Sequence, residues 1–376
     1  MTDTGTHPAL EPGSVGALRT RNRLAVAPMT RVSAAPDGTA TPEMAEYYAG
    51  FARGGFGLVI TEGIYTDTVH SQGYLNQPGL VSDRHVTAWR EITAEVGRAG
   101  VPIVAQLMHA GALSQGSAYR DDTAGPSPVA PKGVKMPEYG GHGPWAVPRE
   151  MSRADIEAAV GGFAASAANA RHAGFDGVEV HAANGYLLDQ FLTDYTNLRE
   201  DSYGGSIAGR VRLTAEVVAA IRAEVGPDYC VGVRLSQTKV NDFRYRWPGG
   251  AWDAEVIFTA LAEAGATYLH IASEGRNWID TARLDGGLTV TGLARRVSGL
   301  PVMANGGMHD ADLSARVLAD GHADLVSVAR GALADPGLPC RLAEGAPAEP
   351  FDHAMLSPMA TLDNARRWRL AAGAAV

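Results

Sequence analysis

The sequence predicts an α/β fold of the (β/α)8 TIM barrel type, from the alternation of its segments and from their number. Short apolar runs of β type alternate with alanine-rich segments of helical period, and eight such units occur along the 376 residues. This alternation is typical of a parallel sheet with helices outside it, and eight strands favour a closed barrel. The chain exceeds the ~250 residues typical of such barrels, which accommodate insertions within one unit. We therefore expect one domain over residues 1–376, with the barrel at about 20–340 and a C-terminal tail at about 341–376.

Strands and helices follow one another regularly along the chain. The predicted strands are Leu24 to Ala27, Gly57 to Thr61, Pro102 to Leu107, Gly177 to His181, Cys230 to Leu235, Thr267 to Ile271, Pro301 to Ala304 and Asp324 to Val328. The predicted helices are Thr41 to Arg53, Ser82 to Ala99, Ser152 to His172, Gly205 to Val225, Asp253 to Ala264, Val290 to Val297 and Ala311 to Ala319. Ser82, Ser152 and Asp310 stand where their side chains can accept hydrogen bonds from a first helical turn.

Two segments are too long for plain connections between a strand and a helix. Residues 110–150, after the third strand, are rich in proline and glycine, and residues 236–252, after the fifth, carry Phe243, Tyr245, Trp247 and Trp252. Long ordered loops at this end of a barrel serve as lids or substrate walls. The first segment can equally be a structural hairpin, and for the aromatic segment a functional role and ordinary packing both remain open.

The composition excludes several classes of function. The formal net charge is −9 with scattered basic residues, which does not suit a nucleic-acid backbone. Cys230 and Cys340 are too few for a disulfide framework or a cysteine-ligated iron–sulfur cluster, and we predict no metal site. The N-terminus lacks a secretory signal pattern, and the longest weakly apolar run, Ala158 to Ala170, is too short to span a membrane. We therefore expect a cytoplasmic protein without nucleic-acid or membrane partners.

The stretch from Gly177 to Arg210 carries the main candidate site. His181, Asn184 and Tyr186 follow a predicted strand end, where barrel enzymes hold their catalytic groups. The imidazole and the amide can donate hydrogen bonds to an oxygen that gains negative charge, and the phenol can deliver a proton. A lone histidine at a strand end is also commonly a structural residue with satisfied hydrogen bonds.

The same stretch resembles the signature of the old yellow enzyme family of FMN-dependent ene-reductases. The resemblance lies in GVEVHAANGYLLDQFL followed by NLREDSYGGSIAGR, and it extends over residues 10–340. Further motifs occur in the family's order: NRLAVAPMTR, ITEG, VAQLMHAG, VGVRLS, ANGGM and VSVARGALADP at strands one, two, three, five, seven and eight. The resemblance implies that His181 and Asn184 bind the carbonyl oxygen of an α,β-unsaturated substrate. It implies that Tyr186 protonates the α-carbon while reduced FMN supplies hydride to the β-carbon.

Arg234 is the most informative candidate contact to the flavin. It lies among Val231, Gly232, Val233 and Leu235 in a strand, and a charge inside a barrel is costly unless it is paired. An anionic reduced flavin is one partner, and a barrel carboxylate such as Glu179 is the alternative. The resemblance adds Gln106 at the flavin pyrimidine, Thr30 near the flavin O4, and backbone contacts from Pro28, Met29 and Gly63.

The loops after strands seven and eight form the expected phosphate site. Backbone N–H groups of such loops and of a helix N-terminus favour an anion. We assign Gly306, Gly307, Ala329 and Arg330 to the FMN phosphate region, although a pair of glycines more commonly means a tight turn.

The substrate pocket is the least constrained part of the prediction. Met108 stands where some relatives have a bulky aromatic residue, so the orientation of the substrate cannot be carried over. Ordinary packing is an equal alternative for the other candidate pocket residues, which are Tyr65, Tyr74, Tyr245, Trp247 and Trp278.

The resulting prediction is an FMN-containing, NAD(P)H-consuming ene-reductase acting on a small activated alkene by a ping-pong cycle. A dehydrogenase, demethylase or isomerising tailoring enzyme of the same fold, a flavin-free barrel aldolase or isomerase, and a non-catalytic flavin-binding protein are the alternatives. Lys239, just after the fifth predicted strand, is the only lysine near the strands that could serve an aldolase. We expect a homodimer or homotetramer, in which Arg366, Arg367 and Arg369 either reach a neighbouring site or form a solvated helix end.

Overall fold

Eight parallel strands close into a barrel in the computed structural model, which describes residues 6–273 and 277–371. The strands are β1 Leu24–Val26, β2 Leu58–Ile60, β3 Ile103–Met108, β4 Gly177–Asn184, β5 Cys230–Lys239, β6 Tyr268–Ala272, β7 Val302–Asn305 and β8 Leu325–Val328. Each strand pairs in parallel with the next one, and β8 pairs with β1, so the sheet is closed. The predicted (β/α)8 barrel is therefore confirmed.

Helices connect successive strands, as the apolar periodicity predicts. They are α1 Pro42–Arg53, α2 Asp83–Arg98, α3 Arg153–His172, α4 Ile207–Val225, α5 Ala251–Glu263, α6 Val290–Ser298 and α7 Ala311–Ala319, followed by α8 Arg330–Ala334, α9 Leu338–Ala343 and α10 Leu362–Ala371. The predicted caps form: the side chains of Ser82, Ser152 and Asp310 each accept a backbone N–H of the first turn. Two short helices that the sequence did not indicate, Leu187–Leu192 and Trp278–Thr281, follow β4 and β6.

Strands β4 and β5 extend further than predicted. The predicted ends were His181 and Leu235, whereas the strands continue to Asn184 and Lys239. Lys239 pairs with Asn184 across a register shift after Leu235, and the Val240 N–H donates to the Asn184 carbonyl at 3.1 Å. Asn184 and Lys239 are therefore held by strand pairing instead of lying in free loops.

A hairpin that the sequence did not predict covers the amino end of the barrel. It consists of the antiparallel strands Gly13–Val15 and Leu18–Thr20. The buried Val15 packs in one apolar cluster with Leu58 and Leu325, which begin β2 and β8, and the Cys230 thiol donates to the Val15 carbonyl at 3.7 Å. The apolar contacts therefore close this end of the barrel.

The segment between β3 and α3 is ordered by local pairing. Ala124–Gly125 pairs with Arg149–Glu150 in parallel, and a 3-10 turn spans Pro137–Tyr139. After β8, a second 3-10 turn at His353–Leu356 lies near the same side of the molecule, where the Ala360 N–H donates to the Glu138 carbonyl at 2.8 Å. None of the described helices has the length and apolar character that crossing a membrane requires.

Candidate active site

A cavity of about 400 Å³ opens at the carboxyl end of the barrel. Residues in or directly after all eight strands line it, which is where barrel enzymes place their active sites. The cavity brings together every residue that the sequence assigned to catalysis or to the cofactor. These are His181, Asn184 and Tyr186, together with Pro28, Met29, Thr30, Gly63, Gln106, Arg234, Gly306, Gly307, Ala329 and Arg330.

The three predicted catalytic side chains lie close together and are nearly buried. The rings of His181 and Tyr186 have centroids 4.9 Å apart in an edge-to-face arrangement. Asn184 lies between them in the chain and has a φ of 62°, which turns the backbone sharply. After this turn, the Tyr186 side chain lines the same cavity as His181. The Tyr186 hydroxyl is hydrogen-bonded to the hydroxyl of Tyr74.

His181 is held as a neutral imidazole. Burial, followed by the positive charge of Arg234 and then His270, holds its pKa well below the usual 6.5. Arg234 lies beside His181 on one side and His270 on the other, in the strand register of β4, β5 and β6. The buried Nδ1 of His181 has no hydrogen-bond partner among the described residues, and such an atom is costly unless a ligand or water satisfies it.

A polar network lies inside the barrel and reaches the cavity. The Glu179 carboxylate accepts hydrogen bonds from Gln106 Nε2 at 2.8 Å, from the Tyr268 hydroxyl at 2.9 Å and from His270 Nδ1 at 2.9 Å. His270 Nε2 lies 2.8 Å from the Ser327 hydroxyl, which lines the cavity. Glu179 and His270 are both fully buried, so this network replaces the apolar packing usual in a barrel interior.

The charges of this network follow from its contacts. Burial opposes ionisation of Glu179, but His270, Arg234 and Gln106 outweigh it and hold the pKa of the carboxyl below its usual value. Burial lowers the pKa of His270, against the influence of Glu179. His270 thus lies between two polar partners, with Nδ1 at the Glu179 carboxylate and Nε2 at the Ser327 hydroxyl.

The loops after β7 and β8 form a cradle of backbone. Gly306 and Gly307 have φ angles of 118° and 75°, which side chains rarely adopt, and a Cβ on Gly307 would lie 2.6 Å from the Asn277 Oδ1. Arg330 begins α8 beside them, and its side chain adds a positive charge to the lining. Backbone without side chains next to a guanidinium fits a phosphate group.

The predicted substrate residues are distributed differently from the cofactor residues. Met108 lines the cavity, and Tyr74 lies behind Tyr186. The remaining four lie outside the described lining and have other contacts: Tyr65 donates to the Asp37 carbonyl, Tyr245 to the Asp194 carboxylate, Trp247 packs on Phe258, and Trp278 packs on His322.

Several lining residues were not among the assigned site residues, although Phe243 belongs to the aromatic segment for which a functional role remained open. The cavity is also lined by Met136 and Tyr139 from the segment after β3, by Phe243 after β5, and by Leu356 near the C-terminus. Arg31 is 1% exposed and also lines the cavity, with Nε and Nη1 lacking hydrogen-bond partners among the described residues. Of the interior network, the sequence indicated only Glu179, as an alternative partner of Arg234. Tyr268 and His270 were missed, although polar residues two apart on a strand face the same side and could have indicated them.

These features agree with the comparisons to known proteins. Residues 9–349 match the model of the NADH:flavin oxidoreductase / NADH oxidase family. The chain belongs to this family. The predicted membership of the old yellow enzyme group, the flavin oxidoreductase class, and FMN with a nicotinamide reductant are thereby confirmed.

The relatives of this chain differ in length. A chanoclavine-I aldehyde reductase from Penicillium roqueforti is 35% identical over 351 residues, which cover 91% of each chain. The old yellow enzyme homologue from Zymomonas mobilis superposes with a TM-score of 0.85 at 30% identity, covering 95% of this chain and 99% of that one. An NADH oxidase from Thermoanaerobacter brockii is 32% identical over 342 residues, which are 89% of this chain but 50% of the relative. The chain thus spans half the length of that relative.

The shape and the polar groups of the cavity fit FMN. The glycine cradle with Arg330 suits a phosphate, and the buried Arg234 suits an anionic ring edge. The Gln106 side chain, whose amide nitrogen already donates to Glu179, keeps its carbonyl oxygen as an acceptor for a ring N–H.

Proposed function

We propose that the chain is an FMN-dependent ene-reductase that uses NAD(P)H to reduce the C=C bond of an alkene activated by an electron-withdrawing group. The observation that carries this proposal is the arrangement of His181, Asn184 and Tyr186 around the cavity that Arg234 and the glycine cradle also line. Two hydrogen-bond donors and one phenol facing a single space provide what alkene reduction requires from a protein: stabilisation of an oxygen and delivery of a proton.

His181 and Asn184 bind the oxygen of the electron-withdrawing group. Negative charge builds on that oxygen as hydride reaches the β-carbon, and donors already in place stabilise it without reorganisation. A neutral His181 is suited to this task, because its N–H donates a hydrogen bond without acting as a competing strong acid. Tyr186 delivers its phenolic proton to the α-carbon, and the hydrogen bond to Tyr74 stabilises the phenolate that results.

Ten of the lining residues would hold FMN, which when bound supplies the hydride that it has received from NAD(P)H. Arg234 and Gln106 would hold the pyrimidine part of the ring, and Thr30, Pro28, Met29 and Gly63 would hold the rest of the ring. Gly306, Gly307, Ala329 and Arg330 would hold the phosphate.

Two features support reduction over the alternatives. A demethylase of this fold does not need a proton donor at an α-carbon, whereas alkene reduction does, and Tyr186 lines the cavity and is 5% exposed. An aldolase of the Schiff-base type needs a lysine in the cavity, and no lysine is found among its described lining residues. Lys239 is the last residue of β5 and is paired with Asp189 at 2.6 Å.

Anaerobic half-reactions test the proposal. The protein reconstituted with FMN should lose its flavin absorption on addition of NADPH or NADH and regain it on addition of an enone such as cyclohexenone. Tyr186→Phe should slow the second step and leave the first unchanged. Tyr229→Phe is the matched control, because it loses one tyrosine hydrogen bond, to the Phe175 carbonyl at 2.8 Å, outside the cavity lining. A protein that binds no FMN, or a reduced protein that no alkene reoxidises, would overturn the proposal.

A further inference from the structure

The turn between His181 and Tyr186 has an unusual backbone conformation. Among the described residues that carry a side chain, Val32, Asn76 and Asn184 are the ones with a positive φ, and Asn184 has a φ of 62° followed by 89° at Gly185. Asparagine tolerates this left-handed region better than most residues, but the conformation persists only where the surroundings fix it. The direction in which Asn184 and Tyr186 project therefore depends on what holds this turn.

Strand β5 holds the first half of the turn. The Asn184 N–H donates to the Ser236 hydroxyl at 2.8 Å, and that hydroxyl donates to the Thr238 carbonyl at 2.6 Å. The Asn184 carbonyl accepts the Val240 N–H at 3.1 Å. The backbone of Asn184 is thus fixed on both sides by the bulged end of β5.

A buried ion pair holds the second half. The Gly185 N–H donates to one carboxylate oxygen of Asp189 at 2.7 Å, and the Lys239 ammonium donates to the other at 2.6 Å. The side chains of Lys239 and Asp189 are 2% and 0% exposed, and the ammonium lies 4.4 Å from the centroid of the Tyr245 ring. Because the two oxygens have different partners, the ammonium fixes the rotation of the carboxylate and hence the position of the Gly185 N–H.

The Lys239–Asp189 pair lies outside the lining of the 400 Å³ cavity. Lys239 lines a separate space of about 20 Å³, together with Gly185 and Gln190, and neither Lys239 nor Asp189 is among the described residues lining the large cavity. Burying two charges costs several kcal/mol of desolvation per ion, and well-packed apolar residues are often as stable at such a place. A role in stability alone therefore explains this pair poorly. Its contacts instead fit a role in holding the Gly185 N–H, and with it the turn, in one orientation.

We propose that Lys239 and Asp189 are a positioning pair that sets Asn184 and Tyr186 for oxygen binding and proton transfer. The inference rests on the proposed alkene reduction and extends it to residues that do not touch the substrate. Lys239 acts through the Asp189 carboxylate on Gly185, and Gly185 joins the oxygen-binding amide to the proton-donating phenol. Displacement of reacting groups by a fraction of an ångström to 1 Å is expected to slow the reaction strongly.

The test compares Lys239→Met with a matched lysine in the same part of the protein. Lys132 also pairs with an aspartate, Asp242 at 2.6 Å, and lies 3.9 Å from a tyrosine ring centroid, that of Tyr195, but its side chain is 56% exposed. In single-turnover experiments with the FMN-loaded protein, Lys239→Met should slow reoxidation by cyclohexenone roughly 10- to 100-fold. Lys132→Met should reoxidise at the wild-type rate, and Lys239→Arg should recover most of the lost rate because it restores the charge.

Two further measurements separate positioning from loss of folding. The dissociation constant of FMN for Lys239→Met should stay close to that for Lys132→Met, while binding of a phenolate such as 4-nitrophenolate, an oxygen-anion probe, should weaken. The melting temperature of the FMN-loaded Lys239→Met protein should be lower than that of Lys132→Met, because the Asp189 carboxylate is left buried without its partner, but it should stay above the temperature of the rate measurement. If Lys239→Met does not fold, the double variant with Asp189→Asn removes the unpaired buried charge, keeps an acceptor for the Gly185 N–H, and carries the same expected loss of rate.

The outcomes distinguish this inference from the function on which it rests. Failure of the wild-type and Lys132→Met proteins to reoxidise with any alkene would remove the proposed function. Reoxidation by those two proteins and an equal rate in Lys239→Met, or in the double variant, would overturn the positioning role alone. Slower reoxidation that Lys239→Arg does not recover would also count against it.

Discussion

The hydroxyl of Tyr74 is hydrogen-bonded to the hydroxyl of Tyr186, although 112 residues separate them in the chain. Both side chains are nearly buried, and Tyr74 also packs on Tyr139, with ring centroids 5.2 Å apart. The proposed proton donor therefore has a second phenol as its partner on the side of the segment after β2. Loss of the Tyr74 hydroxyl should therefore change the rate of proton delivery while Tyr186, the proton donor, remains.

Tyr74→Phe should slow alkene-dependent reoxidation by about 2- to 10-fold, since a hydrogen bond between neutral groups contributes about 0.5–1.5 kcal/mol. Reduction of the flavin by NAD(P)H should be unchanged, because that step does not use the Tyr186 proton. Stopped-flow absorbance of the two half-reactions measures both rates, with Tyr229→Phe as the control. An equal slowing of both half-reactions would indicate a general disturbance of the cavity.

Glu179→Gln should destabilise the apoprotein by about 3 kcal/mol, because the exchange removes a buried negative charge that interacts with the charge of Arg234 in the barrel interior. Urea unfolding followed by circular dichroism measures the difference in free energy. Glu157→Gln on α3 is the control, since its ion pair with Arg153 is 65% exposed on the glutamate side and should contribute less than about 1 kcal/mol. Equal effects of the two exchanges on the free energy of unfolding would show that the negative charge of Glu179 does not stabilise the barrel interior.

Glu62 makes stability depend on pH near neutrality. Burial raises the pKa of its carboxyl from 4.5 to about 7, against the hydrogen bonds from the Arg31 N–H at 2.9 Å and the Tyr48 hydroxyl at 3.2 Å. Between these two pH values the folded chain keeps the proton that the unfolded chain has lost. The free energy of unfolding therefore falls as pH rises through this window, by up to about 1.4 kcal/mol per pH unit from this group.

Glu62→Gln should remove that contribution, because an amide does not ionise. The difference in free energy of unfolding between the variant and the wild type should shift in favour of the variant by about 2 kcal/mol from pH 5 to pH 7. Urea titrations of the apoprotein at pH 5, 6 and 7 measure it, with Glu157→Gln as an exposed control. Parallel profiles for wild type and Glu62→Gln would contradict the assignment.

Gly307→Ala should weaken FMN binding about tenfold, equivalent to 1.4 kcal/mol, because the new Cβ would lie 2.6 Å from the Asn277 Oδ1 within the glycine cradle. Gly299→Ala is the control: it has a similar φ of 66°, and no atom lies within 4 Å of its new Cβ. Gly299→Ala should cost the apoprotein roughly 1 kcal/mol of backbone strain, and Gly307→Ala somewhat more, because the Asn277 side chain must also move. Fluorescence titration with FMN should separate them, and equal dissociation constants would argue against a phosphate at Gly307.

The sequence predicted the barrel well because its evidence is local. All eight strands and the seven helices between them begin and end within a few residues of the expected positions, apart from the longer β4 and β5. Those extensions depend on pairing between Asn184 and Lys239, which apolar periodicity along one segment does not reveal. The hairpin at Gly13–Val15 was missed for a similar reason, since its strands are three residues long and gain stability from the barrel end that they cover.

The candidate site was predicted where a motif fixes a residue at a strand end, and less well elsewhere. His181, Arg234 and Gln106 lie on strands, so their direction follows from the barrel. Tyr245 and Trp247 were chosen for their aromatic character, but the path of the loop turns Phe243 toward the cavity. The course of such a loop depends on contacts with distant segments, for example the hydrogen bond of Tyr245 to Asp194.

The hairpin across the amino end of the barrel has a kinetic consequence. With that end covered by Val15 and Leu18, the cavity is reached from the carboxyl end, where the segments that carry Met136, Phe243 and Leu356 line it. A nicotinamide and an alkene that arrive by one opening exclude each other from the cavity. Each reactant should therefore inhibit turnover when it is in large excess, and more of the other should relieve that inhibition.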